Sequence, residues 1–270
     1  GFGGQKFMPE VLEKTKAGCA HIVINRPEVH NAFDDTIIEQ MIIWLDDAEK
    51  DPDVRVLVLR SKGKNFSAGA DLNWMKKIAE NSYDENLLDA GRLAELMRRL
   101  NNFSKPTICL VQGAAFGGAV GLAACCDIVI AEKRSRFCLS EVKIGLIPAV
   151  ISPYVVRAIG ERQARRFFLT AESFSSVEAM NFGLVHEIVA DTSLFELALK
   201  KYLDLLATNS PQGMNAAKQL IFKVSGTEIN ESLIDDTARR IAEIRVSPEG
   251  QEGLSAFLEK RQPNWIQEER

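Results

Sequence analysis

The chain has 270 residues, of which 46% are hydrophobic and 26% are charged, and its formal net charge is -4 at pH 7. A chain of this length buries roughly three quarters of the surface that it exposes when unfolded, so its core needs no metal or disulfide for stability. The slight excess of acidic residues excludes a general electrostatic attraction to nucleic acid or to anionic lipid.

Alternating strands and helices are predicted over the first two thirds of the chain. The apolar run 18–26 predicts a strand, which Asn25-Arg26-Pro27 ends. Asp34 or Asp35 can cap the helix that follows, because apolar residues recur there at intervals of three and four. Further strands are predicted at 54–59, 106–111, 127–131 and 185–189, with helical segments between them. This alternation favours an α/β architecture.

The pattern changes after Asp191. Four segments have the spacing of amphipathic helices with no strand between them, at 194–207, 211–224, 230–246 and 248–261. We therefore expect a core domain at 1–195 and a helical region at 196–270. The apolar faces of these helices need a partner surface, such as another subunit.

Two glycine-bearing stretches about fifty residues apart, at 66–72 and 113–119, carry the clearest chemical signal. Each follows a predicted buried strand and leads into a segment that can be helical. A small residue at the end of a strand lets a ligand approach the backbone, and the start of a helix presents free N–H groups to negative charge. Two such N–H groups that converge on one point would form an oxyanion hole.

Five motifs in order resemble the crotonase (enoyl-CoA hydratase/isomerase) family. They are Phe66-Ser67-Ala68-Gly69-Ala70-Asp71-Leu72, Gly117-Gly118, Cys126-Asp127-Ile128, Glu141 ahead of Gly145-Leu146-Ile147-Pro148, and Gly183-Leu184-Val185. The resemblance runs from about Val11 to Pro263. It implies an α/β spiral of ββα units followed by a C-terminal α-helical region that builds trimers, with a hexamer formed as a dimer of trimers.

The resemblance implies an acyl-CoA substrate and an enolate intermediate. The thioester oxygen would lie between the N–H groups of Ala70 and Gly118, beside a helix that begins near Gly117. Glu141 matches the family's catalytic acid/base, and a carboxyl in an apolar pocket has a raised pKa that suits proton exchange near neutral pH. Without the motif, Glu141 would be interpreted as a helix cap or a surface residue. No metal and no redox cofactor is expected.

One departure from the family concerns the reaction. Hydratases of this family carry a second glutamate three residues beyond the oxyanion glycine, and here that position is Gly121. A single carboxylate can still add water to one face of a double bond, or it can move a proton along the acyl chain. We therefore expect hydration of a 2-enoyl-CoA, with Δ3-Δ2 enoyl-CoA isomerisation by Glu141 as the alternative.

The family binds CoA through the loop after the first strand, the first glycine loop and a C-terminal element that often reaches across a subunit boundary. Arg26 suits a phosphate, and His30 is as consistent with loop packing as with binding. In the C-terminal element, a solvated helix end is an equal alternative for Phe257, Lys260 and Arg261. The residues that the resemblance assigns to CoA are Arg26, Val29, Ala32, Ala68, Asp71, Leu72, Gly117, Phe257 and Lys260.

The segment 145–156 differs from the glycine-rich run of straight-chain hydratases. Together with Gly121 it resembles bacterial methylglutaconyl-CoA and γ-carboxygeranoyl-CoA hydratases, which act on branched acyl groups with a distal carboxylate. We therefore expect a role in leucine or acyclic isoprenoid catabolism. Lys143 and Arg157 are candidates for the cation that such a carboxylate needs, with plain surface charge as the commoner role.

Two interpretations from other classes are weaker. Gly113, Gly117 and Gly118 follow a strand and open a helix, but Ala115 stands where a dinucleotide-binding G-x-G needs glycine. A relative of the family binds RNA, and the chain has a basic cluster at 157–166. The acidic balance and the three Trp and three Tyr residues favour a solvated helix face instead.

The cysteines and histidines indicate no site of their own. The five cysteines lie among apolar or small residues without a C-x-x-C pair, which predicts reduced packing residues, and the three histidines are scattered. No apolar run reaches the ~18 residues of a membrane span, and residues 1–7 lack the apolar region of a secretory signal. We expect a soluble cytoplasmic homo-oligomer with no nucleic-acid or membrane partner.

Overall fold

The computed structural model describes residues 10–14 and 18–266, with side chains from residue 18 onward. Its larger sheet contains β1 Glu10–Lys14, β2 Cys19–Ile24, β3 Val56–Ser61, β4 Thr107–Val111, β6 Ile128–Glu132 and β9 Glu187–Val189, in the order β1-β2-β3-β4-β6-β9. β1 is antiparallel to β2, and every other neighbouring pair is parallel. The carboxyl ends of β3 and β4 therefore lie side by side.

A second sheet has three short strands, β5 Ala114–Phe116, β7 Arg136–Cys138 and β8 Ser173–Ser175. β5 is parallel to β7, with Ala115 opposite Phe137, and β7 is antiparallel to β8. The sequence did not indicate these strands, because three residues are too few to display a period of two. This sheet matters for the site, since β5 lies inside the second glycine stretch.

Ten α-helices complete the described chain. The first six are α1 Asp35–Lys50, α2 Leu72–Glu80, α3 Tyr83–Asn101, α4 Gly118–Cys125, α5 Ser152–Thr170 and α6 Ser176–Phe182, and α5 is interrupted at Gly160. The last four are α7 Phe195–Ala207, α8 Pro211–Val224, α9 Glu231–Arg245 and α10 Pro248–Glu259. None of the described helices is long and apolar enough to cross a membrane.

Helix α1 shows how the local sequence produces this layering. The Asp34 carboxylate caps it by accepting a hydrogen bond from the Ile37 N–H at 2.9 Å, and Asp34 is one of the two caps that the sequence allows. Seven side chains on one face are buried, each contributing about 1.5–3 kcal/mol if the residue is large. They are Ile37, Ile38, Met41, Ile42, Trp44, Leu45 and Ala48.

Contacts divide the described residues into two compact units, one formed by those up to 103 with 107–198 and the other by 104–106 with those from 199 onward. The first unit holds both sheets and α1 to α6, and the second holds α8 to α10. The α/β class and the C-terminal helices are thus confirmed. The domain boundary expected at residue 195 remains a prediction.

All five cysteines fall in the described part, where they are buried and free of disulfides. Burial raises the pKa of Cys19 to about 12 and also raises the pKa values of Cys109 and Cys125. Thiols held neutral in this way are packing residues rather than nucleophiles.

Candidate active site

The two glycine stretches run side by side beyond the ends of β3 and β4. The Phe66 N–H donates to the Gln112 carbonyl at 2.7 Å, and the Ser67 N–H donates to the Ala114 carbonyl at 3.0 Å. In return the Phe116 N–H donates to the Ser67 carbonyl at 2.9 Å. These three bonds fix the register between the two stretches.

Gly113 permits this close approach. It has a φ of +60°, and a Cβ there would lie 2.7 Å from the Asn65 Oδ1 atom and closer still to the Lys64 carbonyl oxygen. Only glycine combines that backbone conformation with that lack of space. The sequence signal at this position therefore has a physical cause.

Phe33 connects the two positions at which the sequence predicts oxyanion donors. Its N–H donates to the Gly69 carbonyl and its carbonyl accepts from the Asp71 N–H, each at 2.7 Å, so its backbone brackets Ala70. Its ring lies 3.6 Å from the point where a Cβ on Gly118 would stand. Ala70 and Gly118 are thus both neighbours of one buried aromatic residue.

The N–H groups of Ala70 and Gly118 form no hydrogen bond within residues 18–266. Their neighbours do, because the N–H groups of Ala68, Asp71 and Gly117 donate to carbonyl oxygens at 2.7–2.9 Å. Ala70 is exposed, and Gly118 is half-buried at the first position of α4. A free N–H pair, one member of which opens a helix, is suited to binding a negatively charged oxygen.

Glu141 lies beside Gly117, the residue before the Gly118 donor. It begins the 3₁₀ turn Glu141–Ile144, which follows β7, and its Oε2 atom is 3.6 Å from the position of a Cβ on Gly117. The Gly117 N–H donates to the Cys138 carbonyl at 2.9 Å, which ties the start of α4 to the strand that leads to Glu141. Gly117 has a φ of +60°, so a side chain there would be strained as well as placed against the carboxylate.

The Glu141 carboxyl group is suited to proton transfer. Its Oε1 atom is buried and accepts no hydrogen bond from any described residue. Burial raises the pKa of Glu141, and the residue's own backbone N–H opposes part of that shift. A carboxyl whose pKa is raised toward neutral can both take and return a proton at physiological pH.

The position of the family's second glutamate is filled by hydrocarbon. A Cβ on Gly121 would lie 2.7 Å from the Ile151 Cβ atom, closer still to its Cγ2 atom, and 3.3 Å from the Met97 Cε atom. Ile151 and Met97 are both fully buried. A second acidic side chain is therefore absent from this position, and no space is left for one.

Arg26 is engaged in internal contacts. Its Nη1 atom donates to the Ala32 carbonyl at 2.9 Å, and its guanidinium forms ion pairs with Asp34 at 3.4 Å and Asp71 at 3.5 Å. Asp71 in turn caps α2 by accepting from the Asn73 and Trp74 N–H groups. A CoA phosphate would have to share Arg26 with two carboxylates.

Of the other expected CoA residues of the first unit, Gly117 precedes α4, and the rest lie on the loop after β2, on the first glycine loop or at the start of α2. The Ala68 N–H donates to the His30 carbonyl at 2.9 Å, which joins the loop after β2 to the first glycine loop. Ala32 and Asp71 are buried, Val29 and Ala68 are half-buried, and Leu72 is exposed over 75% of its surface. A ligand can therefore reach Leu72 most easily.

Phe257 and Lys260 belong to the second unit, near the end of α10. Phe257 is 82% exposed, and Lys260 ends the helix in the left-handed conformation with φ +56°. Arg261 forms ion pairs with Glu252 and Glu259. Whether these residues bind CoA stays a prediction, as it does for the expected residues of the first unit.

A metal-binding constellation is not found in the described part of the chain, where no three His, Cys, Asp or Glu side chains are grouped to hold an ion. The polar groups identified at the site are the backbone N–H groups of Ala70 and Gly118 and the Glu141 carboxyl. Such a set is suited to stabilising an oxyanion and moving a proton.

Three residues of the site were not singled out from the sequence. Phe33 had no signal, because it resembles any other core residue, and Ile151 was covered only as part of the segment 145–156. Asn65 stands directly before the Phe66 motif, and that position is the one hint that the sequence could have given.

The chain resembles known proteins over nearly its whole length. A sequence profile of the family described as Enoyl-CoA hydratase/isomerase matches residues 14–268. A crystal structure of an enoyl-CoA hydratase from Shewanella pealeana is 50% identical, with a TM-score of 0.93 and 97% of each chain covered. Among curated relatives, the 2,3-dehydroadipyl-CoA hydratase and the 1,2-epoxyphenylacetyl-CoA isomerase of Escherichia coli (strain K12) are each 31% identical. The hydratase match covers 96% of this chain and 99% of the relative, and the isomerase match covers 96% and 98%. The chain therefore belongs to the enoyl-CoA hydratase/isomerase (crotonase) family.

Proposed function

We propose that this protein catalyses the reversible hydration of a 2-enoyl-CoA thioester. The observation that carries the proposal is one cluster in which Ala70 and Gly118 keep unused N–H groups while the Glu141 carboxyl lies against Gly117. This cluster supplies two hydrogen-bond donors for the thioester oxygen and one carboxyl group that exchanges protons. No metal or redox cofactor is needed for this chemistry.

The proposed reaction uses Glu141 twice. Its carboxylate removes a proton from water as the water oxygen bonds to the β-carbon, and the thioester oxygen gains the negative charge of an enolate. The Ala70 and Gly118 amides stabilise that oxygen, where one donor is typically worth ~10²–10³ in rate. Glu141 then gives its proton to the α-carbon, so hydrogen and hydroxyl add to the same face.

A second candidate is a Δ3-Δ2 enoyl-CoA isomerase. The hydrocarbon that fills the space beside Gly121 favours it, because isomerisation needs one base and no activated water. In that reaction Glu141 would remove a proton from the α-carbon, and the resulting dienolate would regain it at the γ-carbon. The same amides would stabilise the dienolate oxygen.

The proposed substrate is a branched acyl group with a distal carboxylate, such as methylglutaconyl-CoA or γ-carboxygeranoyl-CoA. Lys143, in the turn that begins with Glu141, and Arg157, on α5, are both exposed and are the candidate cations for that carboxylate. We place the reaction in leucine or acyclic isoprenoid catabolism in the cytoplasm.

We further propose a homotrimer or a hexamer. The helices of the second unit expose large apolar side chains that a partner subunit would cover, namely Ile221, Ile234, Leu254, Phe257 and Leu258. RNA binding without catalysis is the alternative from another class. In the basic cluster, Arg166 is paired with Glu172 at 2.6 Å, which supports the solvated helix face.

Loss of enoyl-thioester absorbance tests the proposed function. The substrates are crotonyl-, 3-methylglutaconyl- and γ-carboxygeranoyl-CoA, and the variants are Glu141→Gln and the exposed control Glu161→Gln. We expect Glu141→Gln to lose at least ~10² in kcat, as removal of an acid/base group does, and the control to keep its rate. Equal rates for Glu141→Gln and the wild type would exclude Glu141 from the chemistry.

Solvent labelled with ¹⁸O separates the two candidate reactions. Hydration places the label in the product, whereas isomerisation leaves the product unlabelled. Salt-sensitive RNA binding that survives Glu141→Gln, without turnover of any thioester, would support the non-catalytic alternative.

A further inference from the structure

We infer that Asn65 is a positioning residue that holds the Gly118 donor in register with the Ala70 donor. This inference rests on the proposed function, because it concerns how the oxyanion site is kept in shape. Backbone hydrogen bonds between the two glycine stretches join residues 66–67 to residues 112–116. Asn65 adds side-chain hydrogen bonds at the edge of that region.

The Asn65 side chain completes a hydrogen-bond pattern that the backbone cannot. At Gly113 the chain turns through a φ of +60°, and the next N–H, that of Ala114, donates to the Asn65 Oδ1 atom at 2.9 Å. Ala114 is 5% exposed, so without this acceptor its N–H would be buried and unpaired. An unpaired buried N–H costs free energy and favours a shift of the segment that carries it.

Asn65 also ties these stretches to a third segment, the loop after β2. The Nδ2 atom of Asn31 donates to the Asn65 carbonyl at 2.7 Å and to the Lys62 carbonyl at 2.6 Å. Asn31 is fully buried, and its Oδ1 atom accepts from the Arg26 N–H at 2.7 Å. The same loop continues to Phe33, whose backbone brackets Ala70.

The orientation of the Asn65 amide is determined by these contacts. Since Oδ1 faces the Ala114 N–H, Nδ2 faces the His30 Nδ1 atom at 3.0 Å, and that imidazole nitrogen must be the acceptor. Every polar atom of the Asn65 side chain thus has a partner on a different loop. Asn65 is the point at which the loop after β2 and both glycine stretches meet.

A small displacement of this junction would move one donor relative to the other. Gly118 is four residues beyond Ala114, and Ala70 is five residues beyond Asn65. Misplacement of a reacting group by about 1 Å can cost ~10² in rate. Asn65 should therefore affect the enolate more than it affects the bound CoA moiety.

The test compares two ligands with the wild type, Asn65→Ala, Asn65→Asp and the exposed control Asn181→Ala. Acetoacetyl-CoA forms an enolate whose near-ultraviolet absorbance reports an occupied oxyanion site. Butyl-CoA thioether lacks the thioester carbonyl oxygen, so it reports binding of the CoA moiety without an occupied oxyanion site. Steady-state kcat and KM on the best enoyl-CoA substrate complete the set.

We expect Asn65→Ala to weaken formation of the bound enolate and to lower kcat by ~10–100-fold, with KM and thioether affinity changed by less than about threefold. Asn65→Asp keeps an oxygen for the Ala114 N–H and should restore most of the loss, while Asn181→Ala should match the wild type. Enolate formation by Asn65→Ala equal to that of the wild type would overturn the inference. If Asn65→Ala weakened the binding of both ligands equally, the inference would also be overturned, since Asn65 would then only support the fold.

The failure of the proposed function would look different. In that case the wild type itself would form no enolate with acetoacetyl-CoA and would turn over no enoyl-CoA. The Asn65 variants would then match the wild type in the measurements with both ligands.

Discussion

The side chain of Ile151 occupies the space into which a side chain on Gly121 would project, with the Ile151 Cβ atom 2.7 Å from the Gly121 Cβ position. Gly121 lies on α4, and Ile151 directly precedes α5. The missing second carboxylate is therefore a feature of the packing around the site. Of the two positions at which the family's hydratases carry a glutamate, only position 141 can therefore supply a carboxylate here.

This packing predicts a coupling between the two residues. Gly121→Ala should reduce the free energy of unfolding by about 1–3 kcal/mol, because the added methyl group overpacks a buried site. Ile151→Ala should also destabilise the protein, by about 2–5 kcal/mol, because it leaves a cavity. In the double variant the new methyl group enters that cavity, so the total loss should be smaller than the sum. Urea denaturation of all four proteins measures the coupling, and strict additivity would contradict the contact.

The oxyanion donor on α4 can be tested without removing a side chain. Gly118 is the first residue of the helix, where proline is tolerated, and Gly118→Pro deletes the N–H. We expect kcat to fall by ~10²–10³, the usual effect of losing one such donor.

Gly118→Ala is the matched variant. It keeps the N–H, and its Cβ would meet the Phe33 ring at an ordinary 3.6 Å. Its loss of kcat should be at least tenfold smaller than that of the proline variant, since only the donor itself is worth ~10²–10³. Equal losses for the two variants, with circular dichroism unchanged, would show that the N–H is not used.

The raised pKa of Glu141 predicts a pH-dependent effect on stability. Below the ordinary value of 4.5 the group is protonated in both the folded and the unfolded protein. As the pH rises, the unfolded state ionises first, so stability is lost until the pH exceeds the pKa of the folded state. Glu141→Gln cannot ionise and escapes that loss.

We therefore expect Glu141→Gln to raise the Tm relative to the wild type at pH 8 and to raise it less at pH 4.5. Differential scanning calorimetry at both pH values measures the difference. Glu161→Gln, an exposed change on α5, is the matched control. A Glu141→Gln effect that is the same at both pH values would mean that burial does not disfavour the Glu141 carboxylate.

Much of the fold could be predicted from local patterns. Asp34 before an apolar face indicates the start of α1, and the apolar runs indicate β3 and β4. These features can be predicted because they depend on residues that are close in sequence. The strands β5, β7 and β8 could not be predicted in this way. Each has three residues, and their pairing depends on contacts between distant segments.

The residues of the candidate site also differ in whether local sequence reveals them. Gly113 and Gly117 could be identified because each has a φ of +60°, which favours glycine, and a Cβ on Gly113 would also collide with the Lys64 carbonyl oxygen. The engagement of Arg26 by Asp34 and Asp71 could not, since an arginine before a proline suggests a free cation as readily as a paired one. The contact of Ile151 with Gly121 spans thirty residues of sequence and becomes visible only when α4 and α5 are packed.

A crystal structure of the protein with a bound enoyl-CoA or a thioester analogue is the decisive test of the oxyanion site. We expect the thioester oxygen to lie about 2.7–3.1 Å from both the Ala70 and the Gly118 nitrogen atoms, the range for an oxyanion donor. We also expect the Glu141 carboxyl to face the α- and β-carbons. A thioester oxygen within reach of neither amide, or a Glu141 carboxyl turned away from the acyl chain, would contradict these expectations.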